Sequence, residues 1–339
     1  MKAMMSVDTV QQQKPFFCDL IITEACMLKC RMCSMWQSKG DPNGPGIEAW
    51  KKFIDSFSDF VGNKAQIQFV GGEPLITKGL LDLVRQAAHK GFSTTMTTNG
   101  YLVDAPMARD IADSGLSTIV FSLDAIQRET HDFLRGVQGT YDKVMNAIGL
   151  LGRFKNDSLK IHVVTTIMQQ NLDELLALAE WVNRNEVIDR ISFQAVVQPF
   201  FTPQDNEWHR KEKFSFLWPA DTNKVESVLN GLEDFKRKGY KINNPAPQFK
   251  TFRAYFEHPE RFVRATRCNL GHNSVSVNAS GKIFLCLSLD PIGDIRDGKS
   301  MEEIWSSAEA RRVRENIKRC RDNCKSMINC FFEEEVHRA

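Results

Sequence analysis

Three cysteines near the start of the chain could hold a metal cluster. Cys26, Cys30 and Cys33 lie in the stretch EACMLKCRMC (24–33), at offsets of four and three residues. Four thiolates close the coordination of a structural zinc ion or of an iron–sulfur cluster. Three thiolates leave one metal with an open position, which catalytic metal sites use to bind substrate. The spacing favours an open iron–sulfur site. A zinc site completed by a distant residue, or buried thiols, are the alternatives.

A second motif follows the next strand-like stretch. The run AQIQFV (65–70) leads directly into GGEP, which comprises Gly71, Gly72, Glu73 and Pro74. Two glycines allow the backbone to approach a ligand closely. Glu73 adds a carboxylate at the end of the sheet where the cysteines lie, and parallel α/β folds place their chemistry at that end.

With these two motifs in this order, the sequence resembles the radical S-adenosylmethionine (SAM) superfamily. By that resemblance, Cys26, Cys30 and Cys33 hold a [4Fe–4S] cluster whose fourth iron binds the amino and carboxylate groups of SAM. The GGEP loop is implied to bind the methionine amino end. The implied reaction is one-electron cleavage of SAM to methionine and a 5′-deoxyadenosyl radical, which abstracts a hydrogen atom from a substrate. A flavodoxin- or ferredoxin-type protein is the implied electron donor.

Weaker matches extend the implied SAM pocket to Thr98, Asn99, Ser122, Asp124 and Arg135. Ser122 and Asp124 resemble the ribose-contacting positions of the family, while Thr98 and Asn99 end the third strand near the same pocket. Arg135 resembles an arginine that pairs with the SAM carboxylate, a task that suits a planar guanidinium. The alternative for each of these residues is capping or surface structure.

Three other positions bear on the same pocket, and Cys18 is interpreted separately. Thr166 and Gln194 are candidate lining residues on the fifth and sixth strands. Met32 stands where this superfamily often has an aromatic residue, and its thioether can fill the same apolar space. Cys18 is interpreted as a buried strand residue and not as a ligand.

A second group of cysteines lies near the C-terminus: Cys268, Cys286, Cys320, Cys324 and Cys330. The first two flank a predicted hairpin (274–286) with its turn at 278–281. This part resembles the SPASM and twitch extensions of radical SAM enzymes. A full SPASM domain has seven cysteines and two clusters, so five cysteines imply a shortened, twitch-like domain with one auxiliary [4Fe–4S] cluster. Cys268 and Cys286 are the firmest ligands, completed by two of the other three. A structural zinc knot is the alternative.

The elements that must position these residues alternate between strand and helix patterns. Apolar and alternating runs predict strands at 18–23, 65–70, 93–98, 117–124, 160–168 and 190–196. Helical spacing predicts helices at 48–60, 80–91, 107–115, 140–154, 172–185, 222–238 and 301–318. This alternation implies an α/β fold with a parallel sheet, but it does not distinguish an open sheet from a barrel. The resemblance implies a partial (β/α)6, TIM-like barrel with a small C-terminal iron–sulfur extension of a β-hairpin and a helix.

Four parts of the chain follow from these patterns. We expect an N-terminal tail at 1–14, a radical SAM core at 15–197, a substrate-proximal linker at 198–261 and an auxiliary-cluster domain at 262–339. The aromatic residues of the linker either line a substrate site or form ordinary core; they are Trp208, His209, Phe214, Phe216 and Trp218.

Composition excludes several functional classes. The formal net charge of the 339 residues is +2, which gives no bulk electrostatic reason to expect a nucleic acid or an anionic membrane as partner. No apolar run approaches the roughly 20 residues that span a bilayer, and the start lacks a secretory signal pattern. We therefore expect a cytoplasmic protein whose nine cysteines are metal ligands or buried residues rather than disulfides.

The predicted function is that of a radical SAM enzyme, of oxidoreductase type. The auxiliary cluster either accepts a second electron from the substrate radical, completing an oxidation or a crosslink, or binds substrate through an open iron. One alternative is a peptide-modifying or C–C bond-forming enzyme with no net oxidation. Another is a non-catalytic iron–sulfur or zinc redox protein. The sequence leaves open whether the substrate is a small molecule or a peptide.

Overall fold

The computed structural model describes residues 13–38, 40–41, 44–199, 202–261 and 268–330. Three predicted features lie outside this part: the N-terminal tail at 1–14, of which only residues 13 and 14 are described, the domain boundary at 262, and the last residues, 331–339. Within it, one sheet has the strand order β6-β5-β4-β3-β2-β1-β7-β8-β9. The strands are β1 Phe17–Thr23, β2 Gln66–Gly71, β3 Ser93–Thr98, β4 Thr118–Ser122, β5 Lys160–Ile167, β6 Arg190–Ala195, β7 Ser274–Val277, β8 Lys282–Phe284 and β9 Gly293–Asp294.

Helices connect the strands and cover one face of the sheet. They are α1 Ile47–Val61, α2 Leu80–His89, α3 Ala105–Ala112, α4 Arg128–Arg135, α5 Thr140–Phe154, α6 Leu175–Arg184, α7 Glu212–Ser215, α8 Thr222–Arg237, α9 Ala246–Glu257, α10 Leu270–Asn273, α11 Met301–Trp305 and α12 Ala308–Arg319. The first six strands pair in parallel, which confirms the predicted α/β barrel-like core.

The helix predicted at 301–318 is two helices. Ser300 caps α11 through a capping box with Glu303, and the Ser307 side chain accepts a hydrogen bond from the Ala310 backbone N–H to begin α12. Serine oxygens satisfy the free N–H groups of a helix start, so the second serine begins a new helix within an otherwise periodic run.

Side-chain alternation gives the sheet two different faces. Along β1, Cys18, Leu20 and Ile22 are buried against the helices, so Cys18 is a buried strand residue, as expected. The opposite, concave face carries partly exposed residues; these include Asp19, Gln68, Thr97, Ser122, Thr166 and Gln194. Thr166 and Gln194 are direct cross-strand neighbours there. The strands thus bury one apolar face and leave a more polar one open to the interior of the partial barrel.

The C-terminal hairpin continues the barrel sheet. β7 pairs in parallel with β1, from Phe17 opposite Ser274 to Leu20 opposite Val277, and β8 returns antiparallel to β7. The turn lies at Asn278–Gly281, as predicted, with the Gly281 N–H donating to the Asn278 carbonyl at 2.9 Å. The extension is therefore built onto the strand that leads into the first cysteines.

The aromatic linker residues pack mainly with one another. Trp218 lies edge-on to Trp208, with ring centroids 5.8 Å apart, and edge-on to Tyr255 of α9 at 5.3 Å. Trp208, His209 and Trp218 are buried, and Phe216 is exposed. These contacts favour the core interpretation of the segment.

Candidate active site

The loop with the first three cysteines lies on the C-terminal end of α4. The Lys29 N–H donates to the Arg135 carbonyl at 3.2 Å, and the Arg31 N–H donates to the Leu134 carbonyl at 2.9 Å. Gly136 ends α4 with φ +70°, and a Cβ on it would lie 2.2 Å from the Lys29 carbonyl oxygen. Only glycine combines this backbone conformation with so close an approach.

The GGEP loop lies directly against the same cysteine loop. The Gly72 N–H donates to the Thr23 carbonyl at 2.8 Å, and the Glu73 N–H donates to the Ala25 carbonyl at 2.9 Å. A Cβ on Gly72 would lie 2.3 Å from the Ala25 carbonyl oxygen. The glycine at this position is thus required by loop-on-loop packing, whatever the loop binds.

Glu73 connects the second and third strand ends. Its side chain is fully buried. One carboxylate oxygen accepts from the Thr98 hydroxyl at 2.8 Å and from the Leu75 N–H at 3.1 Å, and the other accepts from the Asn99 N–H at 2.8 Å. Burial raises the pKa of Glu73, and these hydrogen bonds oppose that rise. Thr98 and Asn99 are therefore beside GGEP, as the sequence predicted, and the carboxylate holds them there.

Each thiol of the first group lies near at least one N–H donor. Asn99 Nδ2 lies 3.8 Å from Cys26 Sγ, and Arg135 Nη1 lies 3.9 Å from Cys30 Sγ. The Met35 backbone N–H donates to Cys33 Sγ at 3.4 Å. Donors of this kind stabilise a thiolate and adjust the properties of a bound cluster.

The same thiols form one electrostatic site. Burial raises the pKa of Cys26, and it raises that of Cys30 to about 11. The Cys33 charge adds to both shifts, and Arg135 opposes both. Among the described residues, no group of three or more His, Cys, Asp or Glu is arranged to hold a single metal ion. Three mutually interacting thiols with N–H donors fit the ligand set of a cluster.

Asp124 and Arg135 form a buried ion pair. Arg135 Nη2 lies 2.7 Å from Asp124 Oδ2, with the two side chains 11% and 0% exposed. The other oxygen of Asp124 accepts from the Thr166 N–H at 3.1 Å. Of the predicted ribose-contacting pair, Ser122 is partly exposed on the concave face, whereas Asp124 directs its carboxylate at Arg135.

Electrostatic interactions link C-terminal cysteines to one another. Burial raises the pKa of Cys324 to about 12, and the charges of Cys268 and Cys286 add to that rise. Burial also raises the pKa of Cys286, and Cys320 contributes to that shift. Cys320 and Cys330 are exposed, and the other three are partly buried. The structure thus brings Cys268, Cys286 and Cys324 together, with Cys320 near them.

Two features of the site were missed from the sequence. α4, which carries Arg135, has no predicted counterpart. Asp19 was taken as part of an apolar strand, yet it lies on the concave face, where burial raises its pKa to about 6 and the Lys325 charge opposes the rise. An acidic residue inside the run CDLIIT was the available signal for Asp19.

Two family models match the chain. The radical SAM superfamily model matches residues 20–182, and SPASM, an iron–sulfur cluster-binding domain, matches residues 268–330. No helix in the described part of the chain is long and apolar enough to cross a bilayer.

Similar proteins fall into more than one functional class. Fe-coproporphyrin III synthase of Methanosarcina barkeri is 34% identical over 52% of this chain, but the match spans only 43% of that protein. PqqA peptide cyclase of Rhodopseudomonas palustris is 25% identical over 86% of this chain and 73% of that protein. The crystal structure of Streptococcus suis SuiB bound to S-adenosylmethionine superposes with a TM-score of 0.69 at 16% identity, covering 92% of this chain and 73% of that one. This last likeness concerns the fold.

Proposed function

Since the chain belongs to the radical SAM superfamily and carries a SPASM iron–sulfur extension, we propose that it uses a 5′-deoxyadenosyl radical to abstract a hydrogen atom from its substrate. It is a radical SAM enzyme whose cofactors are SAM and two [4Fe–4S] clusters. The bound cluster and SAM would supply the reductive cleavage that yields the radical. One observation carries the proposal: the loop that bears the three thiols, each near an N–H donor, begins at residues that are hydrogen-bonded to the GGEP loop.

The residues of the first site would divide the work of binding. We assign the cluster to Cys26, Cys30 and Cys33 and the methionine end of SAM to the loop Gly71–Pro74. Thr98, Asn99 and Ser122 remain proposed SAM contacts, supported by their position on or beside the concave face. Asp124 and Arg135 close the same pocket as a pair. The buried ion pair and tight loops would hold the pocket rigid and limit access of water.

We propose Cys268, Cys286, Cys320 and Cys324 as the ligands of the auxiliary cluster. The electrostatic coupling among these four thiols supports the choice. This set of four proposed ligands leaves Cys330 as the fifth thiol of the group. Iron content tests this assignment, because a two-cluster enzyme holds about eight irons per chain. Cys320→Ala should lower the content toward four, whereas Cys330→Ala should leave it unchanged.

The finer proposal is an oxidation that uses both clusters. The auxiliary cluster would accept an electron from the substrate radical and so complete a two-electron oxidation or a crosslink. Electrons for SAM cleavage would come from a flavodoxin- or ferredoxin-type donor. One similar protein is named for a peptide and another for an iron porphyrin, so a peptide or a small molecule is the proposed substrate. A reaction without net oxidation is the second candidate, and the redox state of the product separates the two.

The test of the main proposal is SAM cleavage. The protein, purified and reduced without oxygen, should convert SAM to 5′-deoxyadenosine, measured by chromatography. Cys30→Ala should abolish this conversion. Cys18→Ala is the matched control, because Cys18 faces the helices and should leave cleavage intact. No 5′-deoxyadenosine above the Cys30→Ala background would favour a non-catalytic iron–sulfur protein instead.

A further inference from the structure

The Asp124–Arg135 pair has a task that SAM binding alone does not explain. We propose that Asp124 holds Arg135 against the Cys30 sulfur, and that the guanidinium thereby raises the reduction potential of the N-terminal cluster. This inference rests on the proposed function, because it requires a cluster at Cys26, Cys30 and Cys33.

Two nitrogens of the Arg135 guanidinium contact two different groups. Nη2 lies 2.7 Å from Asp124 Oδ2, and Nη1 lies 3.9 Å from Cys30 Sγ. Asp124 is in turn fixed by the Thr166 N–H at its second oxygen, and its own N–H donates to His131 Nδ1 at 3.2 Å. Asp124 is thus anchored to β5 and α4, and it determines where the arginine points.

Burial makes this arrangement consequential. The Asp124 side chain is fully buried and that of Arg135 nearly so, so water screens neither charge effectively. Breaking one partner of such a pair leaves the other charge uncompensated, and the remaining side chain then moves toward new partners. Without Asp124, no ion pair would hold the Arg135 guanidinium beside Cys30.

The effect on the cluster follows from charge. Reduction adds one electron from the external donor and releases no ligand, so the reduced site is more negative by one charge. A cation and an N–H donor at a ligand sulfur stabilise the more negative state. Arg135 should therefore make the cluster easier to reduce, before SAM is present.

Arg135 keeps a further donor for another task. Its Nε is buried and has no hydrogen-bond partner among the residues that the structure describes. The expected contact with the SAM carboxylate can thus coexist with the contact to Cys30. A potential measured without SAM separates the two roles, since only the contact to Cys30 acts in that state.

The experiment is an EPR-monitored redox titration of the full-length protein with both clusters and without SAM. The signal of the N-terminal cluster is the one missing in Cys30→Ala. Arg135→Gln should reduce the ratio of reduced to oxidised cluster about tenfold at a fixed potential, a shift of about 59 mV for one electron. Arg135→Lys, which keeps the charge but loses the fork, should shift it less. Arg253→Gln, which breaks a more exposed ion pair with Glu226 between α8 and α9, should not shift it.

The direction in which Asp124→Asn shifts the reduction potential is the decisive result. If Asp124 positions Arg135, its neutralisation should lower the potential, and Asp124→Asn combined with Arg135→Gln should add nothing to Arg135→Gln alone. If Asp124 acted only as a nearby negative charge, the same change would raise the potential. A rise or no change in Asp124→Asn, or an unshifted Arg135→Gln with its cluster in place, overturns the inference. Absence of the N-terminal signal from the wild-type protein would instead overturn the proposed function.

Discussion

Glu73 illustrates how one residue can have a structural task inside a ligand motif. The sequence identifies it as part of GGEP, and the resemblance assigns it to SAM. In the structure, both carboxylate oxygens are occupied by donors from the loops after β2 and β3. The motif glutamate therefore braces the two loops that shape the pocket, a role that no spacing rule could reveal because two of its three donors, the Thr98 hydroxyl and the Asn99 N–H, are distant in sequence.

This role predicts a loss of stability in Glu73→Gln. An amide has one acceptor oxygen, so its NH2 group would face at least one of the three donors. An unsatisfied buried donor costs about 1–3 kcal/mol. Urea unfolding should show a loss of this size. Glu48→Gln, on the exposed side of α1, should change the unfolding free energy by less than about 0.5 kcal/mol. Equal stability of the two variants would contradict the brace.

Asp19 predicts a pH dependence of stability. Burial raises its pKa from 3.8 to about 6 in the folded protein, so the folded state binds this proton more tightly than the unfolded state. The contribution of Asp19 to the free energy of unfolding is then largest below pH 4, and it falls by about 1–3 kcal/mol as pH rises from 4 to 6. Asp19→Asn should remove that fall, which unfolding free energies at pH 4.5 and 7 would detect. A variant with the wild-type pH slope would exclude Asp19 as its source.

At the scale of elements, the barrel strands could be predicted and α4 could not. Each strand has buried apolar residues on alternate positions, a pattern that the sequence displays directly. In α4 the buried positions are His131, Asp132 and Leu134. Two of these three residues are polar, so the sequence shows no apolar stripe that would predict the helix. Asp132 is buried because its carboxylate accepts from the Gly139 and Tyr141 N–H groups at 2.7 and 2.8 Å. The helix that positions Arg135 is thus stabilised by hydrogen bonds to the start of α5, which the apolar periodicity of its own residues does not reveal.

The end of α4 predicts a contrast between two glycines. Gly136 and Gly139 both have positive φ, at 70° and 81°, but a Cβ at Gly136 would meet the Lys29 carbonyl whereas one at Gly139 has nothing within 4 Å. Gly139→Ala should cost only the backbone strain, about 1 kcal/mol. Gly136→Ala should in addition push the cysteine loop from α4 and reduce the iron bound at the first site. Iron analysis of both variants tests this, and equal iron contents would contradict the proposed dependence of the loop on α4.

At the scale of the whole molecule, the extension and the barrel share a sheet. The sequence predicts the hairpin and its turn, but β7 lies more than 200 residues from β1, and nothing local specifies that they pair. A second connection joins the C-terminal cysteines to the barrel edge. The Asn329 side chain pairs with both the N–H and the carbonyl of Ala195 on β6, at 2.8 and 3.0 Å, in place of a neighbouring strand. The side-chain amide thus completes hydrogen bonds of an edge-strand backbone that another strand would otherwise pair with.

This continuity predicts that the two parts unfold together. β1 is hydrogen-bonded to β2 on one side and to β7 on the other, so separating the extension would expose the edge of an interior strand of the sheet. Hydrogen exchange followed by mass spectrometry should give the same opening free energy for the peptides that contain β1, β2 and β7, equal to that of global unfolding. The two-residue β9 at the sheet edge is the internal control and should exchange by local opening. If β1 stayed protected while β7 exchanged freely, the hairpin would be an independent module. In a single cooperative unit, β7 could exchange only through the same global unfolding that exposes β1.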